Sequence, residues 1–277
     1  MILKQLLAHG EELLTQAGVP EGRLNAWYLF SYVTEMSKSE YFLRSDEQVR
    51  DEWQEEYENV LKQRLKRKPL EYITHKTEFM GLPFYVDENV LIPRQDTECL
   101  VEAILPLAKG SDVLDLCTGS GCIGISLGAL VPCQSLTLAD LSQGALDVAE
   151  RNRNLNQVEA TLVQGDLFEN ISGVFDLIVS NPPYIPSKEV KTLMPEVRDY
   201  EPNMALDGDE DGLYFYRRII KESKPYLKNG GWLCFEIGCD QGESVSGLMK
   251  EAGFTQVVIK KDLAGLDRIV QGSRMEE

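Results

Sequence analysis

The run Val113-Leu114-Asp115-Leu116-Cys117-Thr118-Gly119-Ser120-Gly121-Cys122-Ile123-Gly124 leaves few folds open to this chain. Val113–Leu116 reads as a buried strand, the glycines as a tight turn, and the apolar residues beyond them as the start of a helix. That order opens a βα unit, and the pattern repeats downstream. Short apolar runs at Ser135–Ala139, Thr161–Val163, Phe175–Ser180 and Gly231–Phe235 alternate with helical stretches, as a parallel sheet with covering helices requires. Thr255–Lys260 and Arg268–Gln271, divided by Ala264-Gly265-Leu266, read as a closing hairpin.

Gly119-x-Gly121-x-x-Gly124 matches the pattern in which missing side chains let backbone approach a dinucleotide at the end of a sheet. The match alone does not choose a ligand. Asp140 ends the next strand, where a carboxylate can accept from both hydroxyls of a ribose, and adenosine is common to NAD and S-adenosylmethionine. Asp115 favours the latter, because a carboxylate just before the turn would repel a pyrophosphate. It can either organise the loop amides or meet a ligand amino group through water. Asp166 ends a third strand and can accept from an adenine amino group while Leu167 packs on the ring.

The strand Phe175–Ser180 runs into Asn181-Pro182-Pro183-Tyr184. The prolines end sheet pairing and hold φ, and an asparagine before proline is biased to an extended conformation. The loop then presents the Asn181 side-chain carbonyl and the Pro182 backbone carbonyl as acceptors, with Tyr184 as a flat apolar face. Two acceptors and a flat face suit a planar NH2 group. Such a nitrogen is a poor nucleophile, and accepting both of its hydrogens raises its electron density and stabilises the charge that develops as it attacks a sulfonium methyl.

The first 74 residues have a helical pattern. Leu3, Leu6, Leu7, Leu13 and Leu14 share one face, Gly18-Val19-Pro20 stops that helix, and Leu24, Trp27, Tyr28 and Tyr32 repeat the spacing. Ser45, three residues before Gln48, reads as the cap of a further helix that Pro69 closes. Phe79–Val86 looks like a short hairpin. The division expected is a helical domain over 1–75, a hairpin linker over 76–94 and an α/β domain over 95–277.

The formal charge of −17 opposes polyanions and anionic membranes, so no direct nucleic acid or membrane partner is expected. The dense basic stretch Lys62–Lys68 reads as a solvated helix end. The cysteines, Cys99, Cys117, Cys122, Cys133, Cys234 and Cys239, lack metal-site spacing and read as reduced core thiols, so no metal is expected. No apolar run reaches the length of a membrane span, and a cytoplasmic protein is the expectation. Asp207-x-Asp209-x-Asp211-Gly212 suggests a calcium loop, but its twelfth position is Arg218 where a glutamate is needed, so a solvated acidic loop is expected.

Taken together, Asp115-Leu116-x-Thr118-Gly119-Ser120-Gly121, Asp140 and Asn181–Tyr184 resemble class I methyltransferases that act on planar NH2 groups. Ile92-Pro93-Arg94-x-Asp96-Thr97-Glu98, Glu201-Pro202-x-x-Ala205-Leu206-Asp207-Gly208 and Phe235-Glu236-Ile237-Gly238 narrow the resemblance to the HemK/PrmC family. Gln95 and Cys117 depart from it, standing where proline and glycine are common. The resemblance implies a class I S-adenosylmethionine-dependent methyltransferase fold, Rossmann-like, with a mostly parallel seven-stranded sheet and a small N-terminal helical domain that helps recognise a protein substrate. It implies methylation of the glutamine side-chain amide in the Gly-Gly-Gln motif of peptide-chain release factors. It further implies contacts to the methionine moiety from Cys117, Thr118, Gly119, Ser120 and Gly121, to ribose from Asp140, and to the adenine side from Asp166 and Leu167. Asn181, Pro182, Pro183 and Tyr184 would bind the amide, with Asn181, Pro182 and Tyr184 catalytic and Asn181 also bordering the cofactor. Glu236 either lines the cofactor edge or meets solvent at a strand end. An adenine methyltransferase of DNA or RNA, a ribosomal-protein glutamine methyltransferase and an NAD oxidoreductase are the competing readings; the last leaves Asn181–Tyr184 unexplained.

Overall fold

The computed structural model describes residues 1–275; the last two residues of the expected α/β domain lie outside the described residues. The chain divides into two units: 1–75 together with Met194–Tyr200, and 76–193 together with the remainder.

The first unit contains α1 (Leu3–Gln16), α2 (Gly22–Thr34), α3 (Lys38–Arg44), α4 (Asp51–Leu65) and α5 (Leu70–Thr74). Leu3, Leu6, Leu7 and Leu14 of α1 are buried, as their spacing requires, against Leu29 and Phe30 of α2 and Tyr57, Val60 and Leu61 of α4. Tyr57 anchors this core, donating its hydroxyl to the Ala26 carbonyl at 3.0 Å.

Ser45 does not cap a helix. It follows the end of α3, and α4 begins only at Asp51. The residues Ser45–Gln48 return along the N-terminus, with Leu3 N–H donating to the Glu47 carbonyl at 3.1 Å and Ile2 bridged to Gln48. The working capping box lies upstream, where Ser37 Oγ accepts from Glu40 N–H at 3.2 Å and Glu40 accepts from Ser37 N–H at 2.8 Å. Pro69 likewise closes no helix: α4 ends at Leu65 and Pro69 stands before α5.

The basic stretch is also only partly solvated. Arg64 is 5% exposed, donating to Asn25 Oδ1 at 2.7 Å and to Glu196 Oε1 at 3.0 Å, while Arg67 donates to Glu196 Oε2 at 2.8 Å. Lys62 and Lys66 remain exposed. Glu196 lies in the short helical turn Pro195–Arg198, within the segment Met194–Tyr200 of this first unit.

The second unit begins with the hairpin β1 (Thr77–Phe79) and β2 (Leu82–Phe84), followed by α6 (Gln95–Ala108). Then come β3 (Asp112–Leu116), α7 (Cys122–Leu130), β4 (Ser135–Asp140), α8 (Gln143–Leu155), β5 (Thr161–Gln164), β6 (Phe175–Ser180), α9 (Ser187–Val190), α10 (Tyr214–Ser223), β7 (Leu227–Glu236), α11 (Gly242–Glu251), β8 (Phe254–Lys261) and β9 (Asp267–Arg274). Seven strands lie in the order β5-β4-β3-β6-β7-β9-β8, parallel except where β9 runs antiparallel to both neighbours. The expected strands are all present, and β7 starts four residues earlier than its apolar run because Leu227 pairs with Phe175 before a register shift.

Alternate residues of the central strands enter opposite cores. Leu114, Leu116, Ile178, Leu233 and Phe235 pack on one face, and Val113, Leu177, Val179 and Cys234 on the other. Burial on both faces is why these strands read as continuous apolar runs. The chain leaves β3 toward β4 and β5 and then crosses back to β6 on the other side of β3. Open α/β sheets form their ligand crevice at such a reversal, outside the carboxyl ends of the strands.

Candidate active site

A cleft opens at this reversal. Its walls include Cys117–Ser120 after β3, Asp140 after β4, Gly165–Leu167 after β5, and Asn181 and Pro183 after β6. Asn89–Leu91, Pro93 and Arg94 close one side, and Pro202, Met204 and Ala205 another. The structure therefore gathers Asp140, Asp166 and Asn181 beside the turn that follows β3, while Asp115 lies buried and is not among the cleft-lining residues.

The turn after β3 is held by Asp115, which is fully buried. Its Oδ2 accepts from Thr118 Oγ1 at 2.7 Å and from Gly124 N–H at 3.0 Å. Of the two roles open to Asp115, organising the loop is the one formed. Burial lifts its carboxyl to about 7, against the pull of these two hydrogen bonds. Cys117 sits at φ 58°, a left-handed conformation that explains why glycine suits this position and that a Cβ strains. Gly121 has φ 81°, a left-handed conformation that favours glycine, and a Cβ there would have to displace the tip of Ile125, whose Cδ1 would lie 2.5 Å away.

Asp140 accepts from Gly119 N–H at 2.9 Å through Oδ2 and from Ser142 N–H at 2.9 Å through Oδ1. Burial raises its pKa. Each oxygen is thus aimed by one backbone amide and keeps further acceptor capacity toward the cleft. Asp166 is held by Arg218 Nη1, 2.9 Å from both carboxylate oxygens, and the Arg218 guanidinium also reaches Glu222 at 3.2 Å. Leu167 is 6% exposed at the cleft wall.

Pro182 and Pro183 are buried, and Asn181 and Tyr184 half-buried. Asn181 and Pro183 line the cleft; Pro182 and Tyr184 are not among its lining residues. Tyr184 packs against the core beneath the loop, and burial pushes its hydroxyl up to about 12. Its backbone carbonyl accepts from Gln241 Nε2 at 3.0 Å.

The acidic loop is solvated at Asp209, Glu210 and Asp211, as expected, and is also hydrogen-bonded to the segment that follows the proline loop. Ile185 N–H donates to the Leu206 carbonyl at 3.0 Å, Gly208 N–H to the Ile185 carbonyl at 2.8 Å, and Ser187 Oγ to Asp207 Oδ1 at 2.6 Å. Asp211 pairs with Arg217. At one end of the same loop Glu201, with its side chain 1% exposed, receives Arg94 Nη2 at 2.6 and 2.7 Å on its two oxygens. Two segments that border the cleft are thereby tied together.

Sequence reasoning missed several contributors. Thr97 and Phe215 line the cleft, Arg218 holds Asp166, and Gln241 fastens Tyr184. Thr97 was legible as part of the segment that includes Arg94, whereas Arg218 and Gln241 carry no local signal. Glu236 is 2% exposed, which overturns its solvent reading, and it is not among the cleft-lining residues. Cys239 is exposed, unlike the buried Cys234 and the partly buried other four, so the core-thiol expectation fails there; all six are free. Among the described residues no cluster suited to a metal ion occurs, and no helix is long and apolar enough to cross a membrane.

Comparison with known proteins places these features in context. Residues 5–74 match the PrmC N-terminal domain and residues 95–196 the methyltransferase small domain. The release factor glutamine methyltransferase of Geobacter sulfurreducens is 40% identical over 272 residues, covering 98% of this chain and 96% of the relative. The protein of the same name from Clostridium botulinum is 39% identical over 282 residues, covering 99% of this chain and 100% of its own. In fold, the chain is similar to a T. thermophilus 16S rRNA N2 G1207 methyltransferase solved with AdoMet and guanosine, at 16% identity and a TM-score of 0.54 over 72% of this chain and 49% of that one.

Proposed function

The chain belongs to the family of release factor glutamine methyltransferases, and on that premise we propose that it transfers a methyl group from S-adenosylmethionine to the side-chain amide nitrogen of the Gly-Gly-Gln glutamine of peptide-chain release factors. The observation that carries the proposal is the convergence of a loop that carries acceptors for an NH2 group and a nucleoside-type site in one cleft, with Asn181 and Asp140 both on its wall.

The residues present fit the methyl donor. Gly119 leaves open space where a side chain would stand, and Asp140 has acceptor capacity directed by Gly119 and Ser142 for two ribose hydroxyls. Asp166 and Leu167 suit an adenine edge and face, and Cys117–Gly121 would hold the methionine moiety. Bound there, S-adenosylmethionine supplies an electrophilic sulfonium methyl. Asn181 Oδ1 and the Pro182 carbonyl accept the two hydrogens of the glutamine NH2, with Tyr184 supporting the loop's flat face. The amide nitrogen forms the new N–C bond as the S–C bond breaks, and the resulting cation loses one proton to solvent. No strong base is needed, because the N-alkylated amide cation is itself acidic. A substrate of the translation machinery makes the cytoplasm the place of action.

Labelled methyl donor offered with release factor, with a release factor lacking that glutamine, with ribosomal protein and with DNA separates the possibilities. We expect label in the intact release factor alone. Equal labelling of the glutamine-free factor, or labelling of DNA alone, would overturn the assignment.

A further inference from the structure

Glu236 is a buried carboxyl for which methyl transfer as described has no use. It closes β7, and β6 and β7 run parallel with Ser180 paired to Phe235. The next residue of each strand is Asn181 and Glu236, so the two leave the sheet side by side. Asn181 and Thr97 favour the ionised form of the carboxyl, and its buried Oε2 has no hydrogen-bond partner. Arg268 of β9 is nearby, but its Nη2 lies 3.2 Å from both Asp262 and Asp96. The backbone here is fixed from behind, since Tyr216 donates its hydroxyl to the Glu236 carbonyl at 2.8 Å.

An asparagine side chain has two ends of opposite character, a carbonyl that accepts and an NH2 that donates. Methyl transfer as proposed above requires the carbonyl to face the cleft. Rotation of the amide by half a turn would aim a donor at the donor it must bind. An ionised carboxylate can only accept, so it distinguishes the two orientations. We propose that Glu236 is the positioning residue for Asn181: its carboxylate holds the NH2 end of the Asn181 amide and thereby turns the carbonyl toward the substrate. This inference rests on reading Asn181 as an acceptor for the methylated amide.

Protonation would abolish the discrimination, because a carboxylic acid can donate to the wrong end. Burial is the dominant influence on Glu236, lifting it to about 7, while Thr97, Arg268 and Asn181 pull down and Asp96 pushes up. Tyr184 of the proline loop, Tyr216 of α10 and Cys122 of α7 also face it electrostatically. The carboxylate form is present above that value, so turnover should rise as pH passes upward through about 7.

Two measurements on the full chain test this. With 15N-labelled asparagine, the Asn181 side-chain resonances, identified by their loss in Asn181→Asp, should shift with a midpoint near pH 7 and cease to do so in Glu236→Gln. Resonances insensitive to pH in the unmodified protein would overturn the proposal, whatever the methyl acceptor proves to be. In methylation of the release factor, Glu236→Gln, which keeps an acceptor oxygen, should lose about 10-fold in kcat and Glu236→Ala about 100-fold, the scale expected of a mispositioned group. The affinity for S-adenosylmethionine should stay within about threefold, since only a group acting on the transferred methyl's acceptor is disturbed. Unchanged kcat, or equal losses in kcat and donor affinity, would show Glu236 to be structural. Failure of the unmodified enzyme on release factor would instead remove the functional proposal, leaving the resonances to judge Glu236.

Discussion

Asn181→Ala is expected to lower kcat by about 10²–10³-fold while leaving binding of S-adenosylmethionine within a few-fold, the size of effect seen when one directed hydrogen-bonding group is removed from a developing charge. The asymmetry follows from where the residue acts. An amide nitrogen has its lone pair delocalised into the carbonyl, so the barrier lies in making it nucleophilic, and the Asn181 carbonyl contributes most as positive charge grows on the nitrogen. The substitution removes that acceptor but none of the groups at the glycine turn or the strand ends of β4 and β5. Pro182 and Pro183 remain buried and hold the loop, so the fold of the site is retained. Single-turnover kinetics together with calorimetric titration of the donor would separate the two quantities. Comparable losses in both would mean that Asn181 is mainly a structural part of the loop.

Asp140→Ala should give the opposite division, with donor affinity reduced by about 10²-fold and kcat at saturating donor changed far less. Two hydrogen bonds to a charged group, each contributing about 1.5 kcal/mol, account for that factor. Asp140 also accepts from Gly119 and Ser142, so part of the loss would come from loosening the turn. Asp140→Asn retains an acceptor for one of those amides and should fall between the two. Calorimetry gives the affinities directly; an Asp140→Ala protein that binds the donor normally would place the ribose elsewhere.

The sheet was legible because its central strands are buried on both faces and most of its helices on one, so apolar runs and amphipathic stretches alternate visibly along the chain. Asp115, Asp140, Asp166 and Asn181 could be found because a strand end is a local property; Asp140, Asp166 and Asn181 converge on the cleft, and Asp115 holds the turn beside it. What could not be read depends on partners distant in sequence. Ser45-x-x-Gln48 satisfies a capping pattern, yet the segment is captured by the N-terminal residues around Ile2, a long-range contact that outweighs a local preference. Arg64 looked like one cation among several until Asn25 and Glu196, 39 and 132 residues away in sequence, enclosed it. The carboxylates at Asp209–Asp211 are solvated as expected, but nothing local announces that this loop is also pinned to Ile185 and Ser187. Glu236 gave no sign of burial for the same reason: the groups that act on it, Thr97, Arg268 and Asn181, come from α6, β9 and the loop after β6.

The central claim is that the cleft activates one amide nitrogen. Its most direct measurement is mass-spectrometric and NMR identification of the modified atom in a release factor incubated with the enzyme and S-adenosylmethionine. The account predicts a single added methyl on the side-chain nitrogen of the Gly-Gly-Gln glutamine, converting its NH2 into a secondary amide. A methyl on any oxygen or backbone atom, or on another residue with that glutamine unmodified, would contradict it.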